Sequence, residues 1–139
     1  MKIKKLDNFS RSLEILRNAD FSKASEDNIY RTGIVGQFSL TFELAWKSLQ
    51  AVMRLHSVAE ADTGSPRDIL KLGYKIGFIE DSDVWLLMLK KRNLSVHIYD
   101  EEEIDELIVL IRDSFVPALS KLEDTLYDKL SDIDKDSWD

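Results

Sequence analysis

The chain has 139 residues, 44% hydrophobic and 32% charged, which is enough for one packed core and too little for two independent ones. It has no cysteine and only two histidines, which excludes a disulfide framework, a thiolate zinc site, a cysteine nucleophile and a three-histidine metal centre. The net charge of −7 divides into +3 over residues 1–99 and −10 over residues 100–139, a distribution unsuited to coating nucleic acid along the whole surface.

Ile3, Leu6, Phe9, Leu13 and Leu16 recur at spacings of three and four, which predicts a helix ending near Ala19-Asp20. A polar loop rich in Ser, Asp and Asn follows. The next pattern runs from Ile29 through Ile34, Phe38, Phe42, Leu44, Ala45, Trp46, Leu49, Val52 and Met53 to Leu55 without proline, a helix about 40 Å long. Gly33 and Gly36 inside it each cost about 1 kcal/mol relative to alanine, so they are read as close-packing points or a kink. Residues 59–64 read as a loop. Ser65-Pro66 then supplies an N-cap with proline at the first helical position, with Asp68 in the first turn and Gly77 as the stop.

A fourth helix starts at Asp81 or Ser82 and is read through His97. Its run from Val84 to Leu89 is apolar on every side, the pattern of a helix buried on more than one face. A bundle covers only one side of each member, so this run predicts a homodimer. Asp100 with Glu103 resembles a capping box, opening a last helix with Ile104, Leu107, Ile108, Ile111, Phe115, Leu119, Leu122, Leu126 and Leu130 on one stripe. Pro117 should kink it, and the tail from Asp132 to Asp139 reads as frayed. With five Gly, two Pro and no repeat or linker, the expectation is all-α: one domain over residues 1–139, an antiparallel four- or five-helix up-and-down bundle. The longest apolar run is far short of the roughly 20 residues that span a bilayer, so a cytoplasmic protein with no membrane contact is expected.

Chemistry concentrates in Arg92-Asn93-Leu94-Ser95-Val96-His97-Ile98-Tyr99. On a helix Asn93 and His97 are about 40° apart, and Arg92 and Tyr99 about 20° apart. A histidine that moves a proton beside an arginine that holds a phosphate suits phosphodiester cleavage without a metal. The plainer alternative has Arg92 capping helix carbonyls and His97 filling a helix end. Lys90 and Lys91 precede Arg92 and allow local contact with RNA. Glu43 and Lys47, four apart, suit a helix ion pair, and Trp46 and Trp85 suit the core; His56 suits a partner for a helix C-terminal dipole.

The stretch from Gln37 to Lys47, then Ser65-Pro66-Arg67, then Trp85 to Met88 leading into Arg92–Tyr99, resembles the nucleotidyltransferase substrate-binding protein family of the HEPN superfamily. Ser39 stands where that family usually has glutamate, and Val96 where it usually has serine. The resemblance implies a homodimeric helical bundle that partners a small, separately encoded nucleotidyltransferase. In related ribonuclease toxins an arginine, a polar residue, a spacer and a histidine form the active site. Arg92, Asn93 and His97 match that pattern as catalytic residues, with Glu43, Trp46, Lys47 and Lys91 in support and no metal or cofactor. A tyrosine two residues past the histidine receives AMP from the partner in one toxin branch; here it is Tyr99. The resemblance equally fits a non-catalytic module that only presents a substrate to the transferase.

Overall fold

The structure, a computed structural model, describes residues 2–92 and 100–136, and everything structural below concerns those residues. Helix α1 spans Lys4–Arg17 and buries Leu6, Phe9, Leu13 and Leu16, the predicted stripe, ending two residues earlier than the spacing suggested. The following loop is not irregular throughout. Asp20 caps a short 3₁₀ turn, Phe21–Ser25, that buries Ala24, and Asp27 then caps α2, Asn28–Leu55.

At 28 residues, α2 is the spine of the molecule. It packs on α1 and on three helices formed later in the chain, Pro66–Lys75, Ser82–Arg92 and Val116–Asp136. Ile29 departs from expectation: the apolar stripe begins one turn later, and this side chain is 85% exposed. Gly33 and Gly36 are exposed, and a Cβ at either would meet nothing within 4 Å, so neither is a close-packing point. That role falls to Gly73, where a Cβ would lie 2.9 Å from Leu49 Cδ2 and 3.3 Å from Ile79 Cδ1.

Helix α2 closes with His56 as its C-cap. The His56 ring donates from Nε2 to the Lys129 carbonyl oxygen at 2.9 Å and stands edge-on to Phe78. The next loop contains a second 3₁₀ turn, Ala59–Asp62, with Ala61 fully buried. Helix α3, Pro66–Lys75, opens with the predicted box: Ser65 Oγ accepts from the Asp68 amide and Asp68 Oδ2 accepts from the Ser65 amide, both at 3.2 Å. Gly77, at φ +88°, makes the turn into α4, Ser82–Arg92.

Helix α5, Glu101–Leu110, is capped by Asp100 Oδ1 accepting from the Glu103 amide at 2.8 Å. A π turn, Ile111–Phe115, joins it directly to α6, Val116–Asp136. Pro117 accounts for this turn. Lacking an N–H, it leaves the Asp113 carbonyl without its α-helical donor, and the backbone widens to an i→i+5 bond from the Val116 amide to the Ile111 carbonyl. The expected kink is therefore a bulge, and the stripe from Leu107 to Leu130 stays buried through it. Helix α6 passes Asp132, where the sequence suggests fraying, and reaches Asp136.

Helices α1 and α6 run antiparallel along a polar seam. Tyr127 Oη donates to Asp7 Oδ1 at 2.9 Å, Ser10 Oγ donates to Glu123 Oε2 at 2.6 Å, and Arg17 reaches Ser120 Oγ at 2.9 Å. Burial first, then the bond to Asp7, pushes the Tyr127 phenol above its ordinary range. Between α1 and α2 the buried hydroxyls of Ser12 and Thr41 lie 2.7 Å apart, and Thr41 donates to the Gln37 carbonyl, so these polar groups are paired. An aromatic row crosses the core. Phe115 stacks on Phe38 with centroids 5.1 Å apart, Phe38 leads to Phe42 at 6.3 Å, and Phe42 to Trp85 at 6.2 Å.

Candidate functional site

The aromatic row ends under Arg92. The guanidinium carbon of Arg92 lies 5.5 Å from the Phe42 ring centre, and Nη1 lies 3.5 Å from Glu43 Oε2. Glu43 also holds Lys47, Nζ to Oε1 at 3.4 Å, and Lys47 Nζ stands 5.9 Å from the Trp46 ring centre. Phe42, Glu43, Trp46 and Lys47 occupy two successive turns of α2, so spacings of three and four present one connected surface to the end of α4.

Among the described residues the partners of Arg92 are a carboxylate and an aromatic face on a neighbouring helix, not helix carbonyls. The arginine side chain keeps 26% of its exposure, Glu43 33% and Lys47 44%, so the group is anchored from below and open above. Lys90, Lys91 and Arg92 form the last turn of α4, where cations are favoured by the helix dipole. Lys91 is half-buried there.

Trp85, 2% exposed, is a core residue as expected. Trp46 differs. Its ring is half-buried and its Nε1 is covered, yet among the described residues Nε1 has no hydrogen-bond partner; the same is true of Arg92 Nε. Asn93, His97 and Tyr99 lie outside the described residues. From the sequence Phe42 reads only as a core residue, and Glu43 pairs only with Lys47. No one-dimensional spacing relates residue 43 to residue 92. A concavity of about 330 Å³ lies elsewhere, between Trp85, Asp113, Pro117 and Lys121, and none of the predicted site residues lines it. No helix among the described residues is long and apolar enough to cross a membrane.

Residues 4–128 match the family described as nucleotidyltransferase substrate binding protein like. The chain belongs to that family. The chain is also similar to the probable ribonuclease HepT of Haemophilus influenzae, with 26% identity over 93 residues. That alignment covers 66% of this chain and 64% of the relative's own length. A Thermus thermophilus protein of known crystal structure shares the helical fold, with a TM-score of 0.66 and 25% identity, over 88% of this chain and 98% of that one. The all-α architecture read from the sequence agrees with this neighbour.

Proposed function

We propose that this chain is the interaction subunit of a two-component minimal nucleotidyltransferase system, with a latent metal-independent ribonuclease site at Arg92, Asn93 and His97 that the partner transferase controls through Tyr99. The observation that carries this reading is the anchored Arg92: its guanidinium is held by Glu43 and Phe42 while part of it stays open to an anion. The ribonuclease name of the relative with 26% identity points the same way. His97 takes the proton of a ribose 2′-hydroxyl, the 2′-oxygen attacks phosphorus, and the 5′-oxygen leaves and takes up a proton. Arg92 holds the charge that grows on the phosphoryl oxygens. Glu43 acts as a positioning residue, keeping Arg92 in one orientation.

The active form in this reading is a cytoplasmic homodimer. Within one chain α4 buries Trp85, Met88 and Leu89 but leaves Val84, Leu86 and Leu87 half-buried, with Arg67, Asp83 and Lys90 around Leu86 and Leu87. An apolar centre with a charged rim is the composition of a protein interface. Leu87→Glu is expected to give a monomer or an aggregate by light scattering; a dimer of unchanged size would place the interface elsewhere.

The transferase experiment addresses control. Tyr99 directly precedes the Asp100 cap of α5, and the basic last turn of α4 attracts an incoming ATP. A nucleotide on Tyr99 adds a bulky anion that repels RNA. After incubation with the partner encoded beside it, ATP and magnesium, peptide mass spectrometry is expected to find AMP on Tyr99 and none in Tyr99→Phe. An unmodified Tyr99 peptide with a competent transferase would remove the switch from the account.

A further inference from the structure

Two covered N–H groups at this site, Trp46 Nε1 and Arg92 Nε, lack partners among the described residues. A buried donor left unsatisfied costs about 1–3 kcal/mol, so a native structure that keeps both calls for an explanation. Phenylalanine would fill the apolar role of Trp46 without that cost. The balance of the site says what is missing. It has unpaired donors, and its charged groups, Arg92 and Lys47 against Glu43, sum to one positive charge. A ligand that completes it brings acceptors and negative charge, which is the chemistry of a phosphodiester.

We infer that the indole N–H of Trp46 is a phosphate-contacting donor, acting beside Arg92 on the RNA backbone, with Glu43 occupying the cations until that phosphate arrives. This rests on the ribonuclease reading above and adds to it a contact on α2. The indole ring remains partly exposed although Nε1 is not, and Lys47 next to it is 44% exposed, so an acceptor reaches the donor through side-chain movement rather than opening of the bundle. Because an indole donates to phosphate without reading a base, the contact contributes affinity without sequence preference.

The test uses the full chain and a short single-stranded oligouridylate with 2′-O-methyl riboses, which binds without being cut. Trp46→Phe is expected to weaken binding about tenfold or more, the scale of one hydrogen bond to a charged group, while the cooperative melting transition remains. In the wild type, the indole ¹H–¹⁵N resonance lost in Trp46→Phe should move downfield on adding the oligonucleotide, and that of Trp85 should not. If Trp46→Phe fails to fold, through-bond and nuclear Overhauser correlations in the wild type assign the Trp46 indole, and its shift then decides the matter. An unmoved Trp46 resonance in a chain that binds the oligonucleotide, or equal affinity of the variant, overturns the inference and leaves the ribonuclease reading standing. No binding by the wild type overturns both. An equal shift with inorganic phosphate at the same phosphate concentration would assign the donor to a free anion and overturn the phosphodiester claim.

Discussion

Arg92→Ala is expected to lower the rate of RNA cleavage by on the order of a hundredfold or more, and His97→Ala by a similar factor, the usual scale for a charge-stabilising group and for a general base. The two losses should not multiply in the double variant, because groups that act on one transition state are not independent. Arg92→Lys should recover little. Lysine offers a point charge in place of the planar fork, which here spans Glu43 at 3.5 Å and the Phe42 face at 5.5 Å. Single-turnover cleavage with enzyme in excess measures the chemical step. Undiminished cleavage by His97→Ala in a clean preparation would falsify its assignment.

Phe115→Ala is expected to destabilise the fold by about 3–5 kcal/mol, the range for removing a fully buried aromatic ring. Phe115 is 0% exposed, sits in the π turn and stacks on Phe38, so its loss leaves a cavity where α2 meets the junction of α5 and α6. Helix backbone on both sides limits how far that cavity collapses. The row from Phe115 through Phe38 and Phe42 continues to Arg92, so residual folded protein should also bind RNA less well. Chemical denaturation read by circular dichroism checks the stability, and a loss below about 1 kcal/mol would show that the site collapses freely.

Helix α2 was legible because its apolar positions recur over seven turns and no proline interrupts them, and α3 because Ser65, Pro66 and Asp68 satisfy its first amides by local chemistry. The failures have a common cause. Periodicity says which residues share a face and nothing about whether a partner reaches that face, so Ile29 reads as core, and Gly33 and Gly36 as packing points or a kink, although all three are exposed and neither glycine packs closely. The two 3₁₀ turns were hidden because each is too short to show a period. Pro117 signalled a disturbance, but the apolar stripe runs through it without a skipped position, so the form of the disturbance was not readable. Within the site, the Glu43–Lys47 pair is a four-residue spacing and was foreseen; the bond from Glu43 to Arg92 joins two helices and exists only after folding.

The isolated chain is expected to cut RNA without a metal. A time course of single-stranded RNA with the purified wild-type chain in excess chelator tests it most directly, with the products resolved by length and end group. Shortened RNA bearing 2′,3′-cyclic phosphate ends is expected, formed by the wild type and lost in Arg92→Ala. Intact RNA with the folded wild type, or cleavage that Arg92→Ala carries out equally well, would contradict this expectation.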